Sequence, residues 1–205
     1  MSVAVITYHR AMGRWEPDAR GRLAQAAMAL YAEQGFEQTT VAEIAARAGL
    51  TERTFFRHFA DKREVLFYGS EMLQDLLARA VADAPASATA MEATGAAFEA
   101  AGVMIQENPE RARLRDAIVS ANAELREREL IKLAALASAV AGALRDRGVP
   151  EPTASLAAET GVAVFKIAFV RWIGEPGQPD LPGIIHESMQ ELRGVLTVGL
   201  TSAAG

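Results

Sequence analysis

"TTVAEIAARAGLTERTFFRHFADK", residues 39–62, decides the fold. Thr40 and Glu43 have the T-x-x-E spacing of a capping box, in which a hydroxyl and a carboxylate each satisfy an orphan amide at a helix start. Val41, Ile44, Ala45 and Ala48 follow at helical spacing. Gly49 tolerates the positive φ that stops a helix, and Thr51 caps the next one. Phe55 and Phe59, four apart, anchor that next helix to the same core. Helix, glycine-containing turn and helix make a helix-turn-helix, which serves either as plain packing or, in its DNA-binding form, lays its second helix in the major groove.

The positions around the two phenylalanines bear on that choice. Glu52, Arg53, Thr54, Phe56, Arg57 and His58 project outward as a mixture of hydroxyl, cation and aromatic. Major-groove readers use such side chains: Arg pairs with guanine O6 and N7, Thr meets a thymine methyl or a phosphate, and cations hold the backbone. Arg57 reads equally as a base contact and as a solvated cation. Lys62, at the start of the next helical pattern, suits a phosphate, helped by the amides and dipole of a helix start.

Working outward, the 205 residues suffice for one large or two small domains, and half of them are apolar. The absence of cysteine excludes a disulfide framework, a thiolate nucleophile and a cysteine zinc site, and fits a reducing compartment. The apolar run Val3 to Ile6 is too short for a signal-peptide core. The uncharged run Leu133 to Leu144 falls short of the roughly 18 apolar residues of a membrane span. A soluble, cytoplasmic protein with no membrane partner is expected. Residues 1–70 carry nine Lys or Arg against eight Asp or Glu, and residues 71–205 carry twelve against eighteen, which together make the net charge of -5. That asymmetry places any polyanion partner at the first part.

Apolar residues recur at helical spacing throughout, so the fold class is all-α with about nine helices. Pro17 opens a helix burying Leu23, Ala27, Leu30 and Tyr31, and Gly35 closes it. After Lys62, Asp61 and Glu64 offer a second cap, opening a long helix through Val65, Leu66, Met72, Leu73, Leu76 and Leu77. A helix with Met91, Phe98, Gly102 and Ile105 on one side ends at Asn108-Pro109, which caps and begins another. Leu130, Leu133, Ala137, Val140 and Leu144 mark the next stripe, closed by Gly148 and Pro150. From Thr153 to Ile173 the helix is apolar on nearly all sides and must be buried on nearly all sides. A Pro-Gly loop holding Pro176 and Pro179 leads to a last helix with Ile185, Met189, Leu192 and Leu196 in a stripe. The division is an N-terminal arm (1–16), a helix-turn-helix DNA-binding domain (17–65) and a helical ligand-binding and dimerisation domain (66–205). Arg10 and Arg14 make the arm either a minor-groove reader or a disordered terminus.

Over roughly residues 17–67, through Gly35-Phe36, the quoted stretch and its T-F-F-x-H-F-x-x-K ending, the chain resembles the TetR family of bacterial transcriptional regulators. The resemblance implies an N-terminal three-helix DNA-binding domain and a divergent helical ligand-binding domain. It also implies a homodimer on double-stranded operator DNA, with repression relieved by a small molecule. It carries phosphate contacts onto Thr40, His58 and Lys62, and the first turn of the recognition helix onto Thr51, Glu52, Arg53 and Thr54. Phe56 departs from the family's usual Tyr, keeping the ring and losing the hydroxyl. Arg53 stands where a small residue is common, adding a guanine or a phosphate contact. "ENPERARLRDAIVSANAELREREL" with the later Trp172 resembles an actinobacterial branch that includes the mycofactocin regulator, for which a long-chain acyl-CoA is the expected effector.

The apolar helix at 153–173 needs a partner on its second face. A second copy supplies one by pairing the last two helices into a four-helix interface, setting two recognition helices about 34–36 Å apart. Phe98, Met104, Ile105, Phe165, Phe169 and Trp172 are candidate walls of an apolar ligand pocket, although such side chains are more often plain core. Arg111, Arg113 and Arg115 either hold an anionic head group or form a solvated face. His9, His58 and His186 lie far apart, and no phosphate loop, nucleophile elbow or H-E-x-x-H occurs, so neither enzyme chemistry, a metal nor a cofactor is expected. The competing reading is a helical binding protein of the same fold without useful DNA affinity.

Overall fold

The computed structural model describes residues 18–175, 177 and 180–201, with the side chains of the last helix described as far as Val195. The arm at 1–16, with Arg10 and Arg14, together with Pro17, Pro176, Pro179 and the side chain of Leu196, lies outside the described residues. The chain forms two compact units divided between Val65 and Leu66.

Among the described residues, three α-helices build the first unit: α1 (Ala19–Gln34), α2 (Val41–Arg47) and α3 (Glu52–His58). The α1 helix buries Leu23, Ala24, Ala27, Leu30 and Tyr31 and ends where the Gly35 amide donates to Tyr31 O at 3.2 Å. Thr40 and Glu43 close their box reciprocally: the Glu43 amide donates to Thr40 Oγ1 at 3.2 Å, and the Thr40 amide to Glu43 Oε2 at 2.8 Å. Gly49 takes φ 66, the left-handed conformation the turn requires, and Arg22 donates a guanidinium hydrogen bond to Ala48 O just before it. Thr51 Oγ1 then accepts from the Thr54 amide at 3.2 Å, and Leu23, Ile44, Phe55 and Phe59 are buried, the two rings 5.5 Å apart.

Asp61 Oδ1 does accept the amides of Arg63 and Glu64, at 2.8 and 3.0 Å, but it opens only a 3-10 turn, Glu64–Phe67. The long helix expected from Val65 begins later, at Ser70, because Gly69 takes φ 95 and interrupts the helical path.

Among its described residues the second unit contains six α-helices: α4 (Ser70–Asp83), α5 (Ala90–Gln106), α6 (Pro109–Ala121), α7 (Ala123–Asp146), α8 (Thr153–Gly174) and α9 (Leu181–Thr201). Its caps are local: Thr89 with Glu92 for α5, Asn108 with Pro109 for α6, and Asn122 for α7. The core joins Leu77 and Val81 of α4, Phe98 of α5, Val140 and Leu144 of α7, Phe165 and Trp172 of α8, and Leu181 and Ile185 of α9. Arg147 finishes α4 by donating to the carbonyls of Ala82, Ala84 and Pro85 at 2.7–3.0 Å.

One stripe differs from the sequence pattern. Leu130 is exposed, since α7 starts a full two turns earlier and its inward face is set by Leu125, Leu136, Ala137, Val140 and Leu144. The α8 helix is long and apolar enough to cross a membrane by length and composition. Nine of its residues nevertheless pack inside the unit, Trp172 to 1% exposure. Its other face, the one expected to need a second copy, is exposed on the single chain: Ile167 and Val170 are 66% and 70% exposed, and Leu156 is exposed three turns earlier.

Candidate nucleic-acid interface

The two caps and the Gly49 turn fix α3 so that Phe55 and Phe59 point into the core and the opposite side faces water. Glu52, Arg53, Phe56 and Arg57 are exposed, as is the capping Thr51, while Thr54 and His58 are half-buried. The Thr51 and Thr54 hydroxyls lie 3.0 Å apart and share one hydrogen bond, so between them only one O–H is left for a partner. Arg53 and Arg57, four residues apart, project from the same side of α3, and neither meets an acid among the described residues. Phe56 is 56% exposed, its ring held edge-on to Phe55 at 5.5 Å and 84°. A free aromatic flanked by two unpaired guanidinium groups is a surface with both apolar and cationic contacts to offer. The His58 Nε2 is buried and has no hydrogen-bond partner.

Thr40 is exposed, but its Oγ1 donates to Glu43 Oε2 at 2.8 Å while accepting from the Glu43 amide. The Thr40 amide holds the Glu43 carboxyl below its ordinary value, with the Thr40 hydroxyl and Gln34 adding to the effect.

Lys62 departs from its expected phosphate role. Its ammonium has three donors, and they meet three carbonyls: Phe36 O at 2.8 Å, Glu37 O at 3.1 Å and Thr39 O at 3.0 Å. The Nζ also sits 4.6 Å from the Phe36 ring centroid, and Tyr31 OH donates to Lys62 O at 2.7 Å. Burial, reinforced by Asp61, pushes the Tyr31 phenol up, so it stays a donor. Lys62 is thus a bracket joining the end of α3 to the loop between α1 and α2. The Arg47 guanidinium braces the other side, giving 2.9 and 2.5 Å contacts to the two Glu33 oxygens, and holds the Glu33 carboxyl below its usual range.

In the second unit, four of the six candidate pocket residues form one ladder of rings. Phe98 stacks on Phe165 at 5.5 Å, Phe165 on Phe169 at 5.9 Å, and Phe169 on Trp172 at 5.8 Å. Met104 and Ile105 are half-buried near the end of α5. A cavity of about 330 Å³ opens instead between α5, α8 and α9, lined by Met91, Gly95, Thr160, His186, Met189 and Arg193 among others. Sequence reasoning missed it, although Met91, Met189 and Leu192 of its lining were each read as core-stripe positions. At its mouth, Glu99 Oε1 and His186 Nδ1 lie 2.9 Å apart.

The three α6 arginines have different surroundings. Arg115 donates to Glu129 at 2.6 Å and Leu66 O at 3.0 Å. Arg111 lies over Tyr68, where burial lowers its pKa, and Arg113 lies over Trp172. Among the described residues no group of His, Cys, Asp and Glu is arranged to hold a metal ion.

Comparison with known proteins places these features in context. Residues 23–68 match the profile of the bacterial regulatory proteins, tetR family. The chain is 37% identical over 81 residues to the HTH-type transcriptional regulator TcmR of Streptomyces glaucescens; the match covers 40% of this chain and spans about a third, 36%, of that protein's length. Among solved structures, the chain is similar to a TetR-family transcriptional repressor, FadR of Thermus thermophilus in complex with lauroyl-CoA. There the TM-score is 0.57 and the identity 23%, covering 85% of this chain and 93% of that one. FadR of Bacillus subtilis in complex with stearoyl-CoA gives a TM-score of 0.61 at 20% identity, covering 84% and 96% of the two chains. At these identities the solved structures bear on the fold alone.

Proposed function

Because this chain belongs to the TetR family of bacterial regulatory proteins, we propose that it acts in the bacterial cytoplasm as a homodimeric repressor of a palindromic DNA operator, released by a small hydrophobic or acyl-type effector. The observation that carries the reading is α3 itself: Arg53, Phe56 and Arg57 stand free on a helix locked by Phe55 and Phe59. Arg53 and Arg57 supply guanine or phosphate contacts, and Phe56 supplies an apolar contact. Thr51, Glu52, Thr54 and His58 complete the surface. Thr40 offers a phosphate contact at the start of α2, next to the amides of that helix end.

The open face of α8, with Leu156, Ile167 and Val170, supports pairing of two copies through α8 and α9. A two-fold pair would present two α3 helices to half-sites one turn apart. The effector reading rests on the ring ladder of Phe98, Phe165, Phe169 and Trp172, with Met104 and Ile105 nearby, and on the acyl-CoA ligands of the two FadR structures.

Selection of bound fragments from random DNA tests the proposal. A palindrome should be enriched, and Arg53→Ala should change the enriched sequence. No enrichment, or an enriched sequence indifferent to Arg53→Ala, would overturn it.

A further inference from the structure

Apart from the effector reading above, we infer that the cavity between α5, α8 and α9 binds a small organic ammonium ion, its N–H groups on Glu99 and Thr160 and its apolar body against Met91, Met189 and Leu192. None of the ring-ladder residues lines this cavity, so the site is a separate one.

Open space is the first reason. About 330 Å³ lies at the small end of the range for small-molecule sites. Gly95 in its wall keeps that space. The α5 and α8 helices bury three glycines, Gly95, Gly102 and Gly161. At Gly102 and Gly161 a Cβ would stand 2.9 Å from Ile185 Cδ1 and 2.4 Å from Thr94 Cγ2, so close packing of helices explains both. At Gly95 the nearest atom would be Met189 Cγ at 3.7 Å, an ordinary contact. Packing therefore admits a side chain there, and glycine weakens the helix that carries it. What the missing side chain leaves is room for a ligand.

The second reason is the charge left over on the wall. Glu92 and Glu99 both line the cavity from α5, and Glu92 is already engaged. Its Oε2 accepts the Thr89 amide and hydroxyl, each at 2.9 Å, and its Oε1 faces Arg193 at 3.7 Å. Glu99 is half-buried, and its Oε1 meets His186 Nδ1 at 2.9 Å. Its Oε2 has no partner, and no Lys or Arg reaches the carboxylate among the described residues. The Thr160 hydroxyl, half-buried on α8, has no hydrogen-bond partner among them either. A carboxylate and a hydroxyl with unused lone pairs suit an ammonium, which brings three donors and no acceptor. A partly buried charge is screened less than an exposed one, so the same carboxylate turns anions away.

The third reason is the apolar lining. Met91 and Met189 are thioethers, which adapt to a ring or an alkyl body and make favourable contacts with aromatic edges. Met189 is buried and Met91 and Leu192 are half-buried, so the body would be drawn out of water.

Calorimetric titration of the full chain with 2-phenylethylammonium, 2-phenylethanol and 3-phenylpropionate tests the site, because the three share a ring and differ in the charge of the head. The ammonium should bind at least about tenfold more tightly than the alcohol, as a charge-assisted contact requires, and the carboxylate more weakly than either. Glu99→Gln keeps an acceptor for His186 and should bring the ammonium to within about threefold of the alcohol, with the alcohol's affinity in place. Gly95→Leu should fill the cavity, raise the melting temperature and abolish binding of all three. Labelling the methionine methyls of the wild-type chain with carbon-13 locates the probe without any variant: the Met91 and Met189 signals should shift in the ring current as the ammonium is added. The inference is overturned by an ammonium that does not bind or does not outbind the alcohol, by an undiminished preference in Glu99→Gln, or by ammonium binding retained in a folded Gly95→Leu. Binding that leaves both methyl signals in place overturns it as well. Ammonium binding at these methyls by a chain that selects no DNA would keep the site and remove the repressor reading.

Discussion

On α3 of the first unit, Arg53 and Arg57 stand in solvent with no acid partner, whereas in the second unit Arg115, Arg145 and Arg171 close on glutamates and Arg147 closes on three carbonyls. Exposed ion pairs contribute little to stability, so leaving the α3 cations unpaired costs the fold almost nothing. The consequence lies in function: a paired guanidinium is part of its own fold, and an unpaired one is available to a partner. The first unit therefore keeps its partner surface outside, on the face of one short helix. The second keeps aromatic surface inside, in a ladder with one unpaired cation, Arg113, at its edge.

The largest effects should come from the aromatic cores that support each arrangement. Phe55→Ala and Trp172→Ala each remove a fully buried ring and should cost about 3–5 kcal/mol. If the units are energetically distinct, Phe55→Ala abolishes DNA binding while most of the helical signal persists. Trp172→Ala then unfolds the larger share of that signal. Calorimetry decides: both variants melting in one shifted transition would show that the comparison divides a single cooperative unit.

Lys62 and Arg53 come next, because both are cations in the quoted stretch and only one is free. Lys62→Met strands the carbonyls of Phe36, Glu37 and Thr39, costing about 1–3 kcal/mol of stability. It should weaken binding to every DNA sequence and leave the salt slope unchanged. Arg53→Ala should leave stability within about 0.5 kcal/mol. It should cost about 1–3 kcal/mol of discrimination at one base pair, with a salt slope smaller by at most about one. A reduced salt slope in a fully stable Lys62→Met would return Lys62 to the phosphates.

Those two cations also show what was legible in the sequence. Caps and turns have partners within three or four residues, so Thr40 with Glu43, Gly49, Thr51 and the Phe55-Phe59 pair could be read directly. The Lys62 bracket closes on residues more than twenty positions earlier, and no local pattern encodes it. Gly69 was passed over because a helical stripe of leucines continues on both sides of it. The stripe through Leu130 misled for a related reason: spacing gives a period, and the neighbours in space decide which phase faces inward. Among the candidate pocket residues, the spacing of Phe165, Phe169 and Trp172 puts three rings in a row on α8, but the contact of Phe98 with Phe165 follows from the packing of α5 on α8. The cavity beside Met91 and Met189 depends on three helices meeting, which sequence alone does not place.

Thr94 gives a smaller test, confined to the second unit. Its hydroxyl is fully buried and has no hydrogen-bond partner, while its methyl packs on Gly161. Thr94→Val keeps the shape and removes the desolvated group, so it should stabilise by about 1 kcal/mol and raise the melting temperature of that unit by about 2–4 °C. DNA binding should not change. A loss of stability would mean the hydroxyl is satisfied by water.

The smallest effect uses a device that the two units share. Glu43 and Glu92 each close a capping box, and in each case the N-cap amide, from Thr40 or Thr89, is the main cause of a lowered carboxyl pKa. A carboxyl whose folded pKa lies below its unfolded value, about 4.3, contributes stability that is present above that value and is lost as pH falls through the lowered one. Glu43→Gln and Glu92→Gln keep an acceptor in the box but cannot titrate. Each wild-type unit should therefore exceed its glutamine variant in melting temperature at neutral pH, and the gap should close as pH falls through the lowered carboxyl pKa. Both carboxylates are exposed, so the gaps will be slight. Glu92 also feels Arg193, whereas Gln34 is the further partner of Glu43, so high salt should shrink the Glu92 gap more. Equal salt sensitivity in the two units would show that capping alone sets both shifts.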